Sequence, residues 1–249
     1  MLVREEKKRP LSWRDSRQSI RHKWTLPFHT VEWAFDWTAY LLSRWAFLEV
    51  LEYLGILSVL AAVIFYFAEA DGRRQQKHYQ AWQVINTAQG KGGNGGRIEA
   101  LQELNADGVP LVGVNVSGAF LQGIALPHAE LLRSEMEASD LRQSSLRASD
   151  LAYASLRSAN LRQSDLTGVN LFTADLEDAD LVGSDLTGAE LTQANLRNTD
   201  LRNANLSGVV WRKIKSIESA NVYGARNAPP GFLSWAMAHG AISVRGDDE

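Results

Sequence analysis

From Val109 to Trp211 the chain repeats one pattern every five residues, and no other feature limits its fold as tightly. A small residue comes first, then usually an acid or Asn, then Leu, then two mostly polar positions. Ala159-Asn160-Leu161-Arg162-Gln163 is one copy, and Ala194-Asn195-Leu196-Arg197-Asn198 is another. The central position falls at 111, 116, 121 and every fifth residue to 211. Of these 21 positions 18 are Leu, the others being Val116, Met136 and Trp211. Two residues before each centre stand nine Ala, six Ser, four Val, one Ile and one Thr. A fixed period of this kind is the mark of a stacked array in which no single repeat buries enough to stand alone. Burying one Leu contributes about 1.5–3 kcal/mol, whereas ordering each of its five residues costs ~1–2 kcal/mol of backbone entropy.

The consensus, A-(D/N)-L-x-x, runs as ASDLR at 138–142, SANLR at 158–162, TADLE at 173–177, GAELT at 188–192 and QANLR at 193–197. It resembles the pentapeptide-repeat family over about 105 residues, and a shifted copy at Ala220-Asn221-Val222 extends the likeness to about Ala225. The resemblance implies an all-β solenoid, a right-handed quadrilateral β-helix with four repeats per coil and about five coils. A square coil is narrow, so one large and one small residue per side can point inward, which Leu and Ala/Ser/Val satisfy. At ~4.8 Å between stacked strands the column is ~24 Å tall. The regularity of the coils before about Leu131 stays open, because Pro110, Phe120, Ile124 and Pro127 stand where the consensus is weaker.

Open strands at the ends of such a column would template aggregation and need covering. The segment 97–108, with Ile98, Leu101 and Leu104 on one side and Asp107-Gly108 as its stop, is expected to be an N-terminal capping helix. A C-terminal helix and tail at 226–249 would cover the other end, with Phe232, Trp235, Ala236 and His239 on one face and Gly240 as its stop. His239 reads there as a packed or cap-bonding residue and not as a ligand.

Residues 1–30 form a basic polar tail with Arg4, Lys7, Lys8, Arg9, Arg14, Arg17, Arg21 and Lys23, broken by Pro10 and Pro27. It reads either as a disordered tail or as a strand of chain lying on anionic lipid, with Trp13 and Trp24 at headgroup level. Five of the eight Trp fall in the first 45 residues. Residues 31–50 carry Trp33, Phe35, Trp37, Tyr40 and Trp45 among Glu32, Asp36, Arg44 and Glu49, the mixture that prefers a membrane interface. Tyr53–Ala68 is an uncharged run, apolar all round and not along one stripe, so it reads as a transmembrane helix over about 47–68. The expected localisation is a single-pass membrane protein whose partner is first of all the lipid bilayer. The side of the repeat domain stays open. Nine Lys/Arg before Trp45 place that end inside, but Arg73, Arg74 and Lys77 next to the helix outweigh Arg44 and reverse the reading. Residues 71–89 read as a polar helix carrying Tyr79, Trp82, Val84 and Ile85, and 90–96 as a Gly-rich linker.

Chemistry is hard to find. There is no Cys, which excludes disulfides and thiolate metal sites. The five His form no HExxH or i,i+4 pair. No GxSxG elbow is present. The Asp residues are explained by the repeat, whose tight turns favour side-chain to backbone hydrogen bonds. No catalytic residue, cofactor or metal site is assigned, and neither a small-molecule substrate nor nucleic acid is expected. Four repeats per coil place residues twenty apart in one column. One such column carries Val112, Leu132, Ala152 and Phe172, with Tyr153 beside it. An outward apolar stripe marks a contact surface, for a protein partner, a twin subunit or the chain's own N-terminal segment. The expected function is a non-catalytic, membrane-anchored interaction scaffold. The alternatives are a DNA mimic that binds a topoisomerase, as some proteins of the resembled family do, or a purely structural membrane-associated protein. A DNA mimic needs an unbroken acidic face, and here Arg interrupts the acids.

Overall fold

The structure is a computed structural model that describes residues 8–18, 26–43, 46–87 and 94–245. The expectations for Arg4, Lys7, Arg21, Lys23, Trp24, Arg44, Trp45 and 90–93 of the linker lie outside the described residues, as does the side chain of Glu49. Two units divide the chain, residues 1–73 and 74–249.

In the first unit, α1 (Trp13–Gln18) begins at Ser12, whose Oγ donates to Asp15 Oδ2 at 2.6 Å. Part of the basic tail is therefore helical. The next helix, α2 (Leu26–Ser43), starts five residues earlier than the aromatic run suggests. Pro27 lies in its first turn, where a missing N–H breaks no helical bond. Trp33, Trp37 and Tyr40 lie on one side of α2, with ring centroids 6.2 and 5.8 Å apart along the row. Trp13 of α1 packs on Trp33 at 5.5 Å. The Trp33 and Trp37 indoles both donate to the Leu11 carbonyl, at 2.9 and 3.3 Å. Three of the five early Trp thus join α1 to α2. The third helix, α3 (Ala46–Ala68), has 23 residues and is ~35 Å long at ~1.5 Å per residue. It is long and apolar enough to cross a membrane, and the apolar window within it is wholly unburied.

The second unit holds all but the first turn of α4 (Ala70–Thr87), then α5 (Arg97–Ala106), the array, and α6 (Phe232–Ala238). In a regular repeat of the array all five backbone N–H groups are accounted for. Around Leu141, the Leu141 N–H donates to Asn160 O, the Gln143 N–H to Arg162 O, and the Asp140 N–H to Ala119 O, all to neighbouring coils at 2.7–2.9 Å. The Ser144 N–H closes a turn onto Leu141 O. The fifth donor, the Arg142 N–H, is taken by the Asp140 side chain. The same side-chain bond recurs at Asp150, Asn160, Asp165, Asn170, Asp175, Asp180, Asp185 and Asp200. The acids of the repeat are therefore structural acceptors that complete the turn.

Between coils, pairing takes the form of single-residue parallel bridges twenty residues apart, such as Asp140↔Asn160 and Asn160↔Asp180. Of five residues per side, the turn and its flanks leave one for strand geometry. The third residue of each turn has positive φ, the signature of type II, from Gly113 to Lys213. The regularity holds from the first copies. Leu111, Val116, Leu121 and Ile124 are as buried as later core residues, and bridges begin at Asn115. Phe120 projects outward, where its bulk does not disturb the core. From Trp211 to the next centre, Ile217, the step is six residues, and the bridges shift to 21 at Asn195↔Ser216.

Both ends are closed. Ala100, Leu101 and Leu104 of α5 join the core. The Gly108 N–H to Asn105 O and Val109 N–H to Leu104 O bonds, with φ of 69° at Gly108, end α5 in a Schellman motif. Helix α4 adds Ala81 and Ile85 to the same core, and His78 Nε2 meets Asp107 Oδ2 at 2.7 Å. The polar composition of α4 hides this second role, because two small buried positions make no visible stripe. At the other end Trp211 packs edge-on against Phe232 at 5.6 Å and beside Trp235 at 5.2 Å. His239 stacks on Trp235 at 4.4 Å, and its Nδ1 lies 2.7 Å from Trp235 O. Beyond α6, Ile242 pairs with the last coil through Asn221.

Candidate interaction surface

Residues twenty apart do stack, so the outer surface is a set of columns fixed by sequence. On the column of Asp140, Asn160, Asp180 and Asp200, arginines close over the acids. Arg142 contacts Asp140 at 2.6 Å, Arg162 contacts Asp180 at 3.1 Å and Arg202 contacts Asp200 at 2.7 Å. The next column alternates in sign. Arg157 bridges Glu177 at 2.5 Å and Asp175 at 3.1 Å, and Arg197 lies 3.8 Å from Glu218. Exposed pairs of this kind contribute little stability each. Their consequence is electrostatic: the acids are locally neutralised, so these faces do not imitate a run of phosphates.

Among the described residues of the array, three acids are held below their ordinary range. For Asp140 the largest cause is the Arg142 guanidinium, helped by the Arg142 N–H. For Asp175 burial pushes upward, but the Glu177 N–H, Arg157 and Asn195 outweigh it. For Asp185 burial is likewise outweighed, by the Thr187 hydroxyl and N–H and by Asn205. A depressed folded-state value means the stabilisation is present above the unfolded value of about 3.9 and is lost as pH falls through the folded one. The thermal midpoint of the array should therefore fall as pH is lowered below about 4. Replacing Asp140, Asp175 and Asp185 by Asn should flatten that slope in a pH-resolved melting series.

The apolar stripe is real but narrower than the sequence suggests. Val112 and Tyr153 are each 49% exposed, and Leu132 and Phe172 are half-buried. Ala152 is a correction: it is only 4% exposed, because its methyl falls short of the larger side chains around it. It forms the floor of the stripe and not its contact surface. Tyr153 and Phe172 meet edge-to-face at 5.6 Å, and the Arg133 guanidinium lies 5.8 Å from the Tyr153 ring centre. Arg133 escaped the sequence reading. It sits at a positive-φ position, and its column places Arg133, Tyr153 and Thr173 there at φ of 56°, 61° and 59°. Large or β-branched residues adopt this conformation only against a steric cost.

The repeats also match a known family. Its profile, described as pentapeptide repeats, covers residues 144–171 and 170–208 in eight copies. These residues are pentapeptide repeats. No curated protein sequence matches the chain. Among solved structures, a pentapeptide repeat protein from the cyanobacterium Cyanothece 51142 is 31% identical over 39% of this chain and 64% of its own, with a TM-score of 0.35. HetL, a pentapeptide repeat protein involved in heterocyst differentiation regulation in Nostoc sp. strain PCC 7120, is 29% identical over 45% of this chain and 54% of its own, TM-score 0.27. QnrB1, a plasmid-mediated fluoroquinolone resistance protein, is 16% identical over 50% and 64%, TM-score 0.31. The chain thus spans less than two thirds of the length of each of these proteins.

Proposed function

We propose that the protein is a non-catalytic interaction scaffold anchored in a lipid bilayer by α3, presenting the pentapeptide-repeat column as its binding body. The observation that carries the reading is α3 itself, a helix of 23 residues whose apolar side chains from Val50 onward face outward all round. Tyr53, Leu54, Ile56, Leu57, Val59, Leu60 and Phe65 are all exposed. A helix apolar on every side is at rest in hydrocarbon and not in water. Phe28, Val31, Phe35 and Leu42 add a second exposed apolar face on α2, in keeping with a segment at the membrane interface. The array supplies rigidity, and its stripe around Leu132, Tyr153 and Phe172 supplies the contact surface.

The test has two parts. The full chain should stay in membranes through salt and carbonate washes; release into the wash would sink the anchor. Leu132→Asp with Phe172→Asp should leave cooperative unfolding of the array intact, since both side chains lie outside the core. The same variant should lose the protein that co-purifies with the wild type from solubilised membranes. Unchanged co-purification would count against the stripe.

A further inference from the structure

The stripe has two flanks of opposite character. Each repeat crosses the surface in a fixed order: the acid position, then the stripe residue, then the positive-φ position. On this side of the column the acid positions are Glu130, Asp150, Asn170 and Glu190. The positive-φ positions are Arg133, Tyr153, Thr173 and Gln193, every one of them a hydrogen-bond donor. The side of Asp140, Asn160, Asp180 and Asp200 also has donors at Gln143 and Gln163, but between the flanks it carries Arg142, Arg162 and Arg202, which already pair with its acids, where this side carries Leu132, Ala152 and Phe172. Among the described residues neither Glu130 nor Arg133 has an ionic partner within the chain, although both are exposed.

We infer that the stripe is occupied by a second copy of the same chain, packed face to face about a two-fold axis that runs along the stack. Such an axis keeps the coils at equal heights and exchanges left for right. Leu132 then meets Leu132 of the second copy, and Phe172 meets Phe172. Glu130 faces Arg133 and Arg133 faces Glu130, and Asp150 faces the Tyr153 hydroxyl in both directions. A two-fold contact must be self-complementary in this sense. An axis across the stack would instead set Asp150 against Asp150, a like-charge contact.

The contact is narrow. From Val112 to Thr192 it is four coil spacings, ~19 Å tall at ~4.8 Å each, and it falls short of the ~800 Å² per partner of a stable free complex. The inference therefore rests on the scaffold reading, in which α3 holds both copies in one membrane and raises their effective concentration.

The chain has no Cys, which makes site-directed cross-linking clean. The full chain is reconstituted in vesicles as Leu132→Cys, Phe172→Cys and, on another side of the column, Val182→Cys, and treated with a short bismaleimide. The first two should each yield a covalent dimer and the third should not. In the Leu132→Cys background, adding Arg133→Glu should lower the yield about tenfold or more, and Glu130→Arg together with Arg133→Glu should restore it. Equal yields at Leu132 and Val182, or a yield indifferent to Arg133→Glu, would overturn the inference. A carbonate wash of the same vesicles separates the two ideas. Chain that stays in the bilayer without cross-linking removes the second copy and leaves the anchor. Chain that washes out removes the anchor.

Discussion

Leu161→Lys is expected to abolish the cooperative folding of the array. Leu161 is fully buried, with Leu141 and Leu181 in the coils to either side. The interior of a coil has room for one large and one small side chain per side, so an ammonium there finds neither water nor a carboxylate. Leaving a charge unpaired in such a place costs more than the ~5–15 kcal/mol that ordinarily holds a domain together. Neutralising the lysine instead would still leave a polar group without a partner. The milder Leu161→Ala should cost about 2–5 kcal/mol through lost burial and the cavity left behind. Thermal and urea unfolding of the full chain, followed by far-ultraviolet circular dichroism, would show the first variant without a transition and the second with a shifted one. A cooperative, near-wild-type transition in the Leu161→Lys chain would rule out the stacked core.

Phe232→Ala is expected to have the next largest effect, with a different spatial signature. Phe232 is fully buried and closes the last coil against Trp211 and Trp235. Truncating a buried Phe costs about 3–5 kcal/mol. In a stack, each coil touches only its neighbours, so a loss at one end need not reach the other. Hydrogen exchange should show the amides of residues 195–225 losing protection first, while those around Leu121 and Leu141 keep theirs. Exposed edges at the opened end should also promote self-association. Uniform loss of protection along the array would mean that the column unfolds as one unit and that the end cap has no local role.

Much of this molecule was legible in the sequence because its core is built from local rules. A five-residue period with Leu and a small residue in fixed places marks what is buried, and the twenty-residue columns follow from the four sides per coil that the family resemblance implies. The role of the acids was legible for the same reason: Asp140 accepts the Arg142 N–H within its own turn. The stripe was only partly legible. Column membership follows from counting, but exposure depends on the size of the neighbours, and so Ala152 sank while Tyr153 emerged. Arg133 was not legible because a residue type declares neither its backbone angle nor the lack of an ionic partner among the described residues.

The sequence by itself determined the repeat, its inward residues, the stacking rule and the apolar character of α3, since each depends on residues within one turn or one helix. The sequence also offered α5 and α6 as covers for the two ends, but only the tertiary structure decided which residues meet there. Ala81 and Ile85 of α4, Trp211 with Phe232 and Trp235, and Asn221 with Ile242 are partners brought together across long stretches of chain. Their meeting depends on where the six-residue step from Trp211 to Ile217 leaves the last coil. A period can state that coils stack; it cannot state where the stack stops, because an end is covered by whatever non-repeating chain folds back onto it.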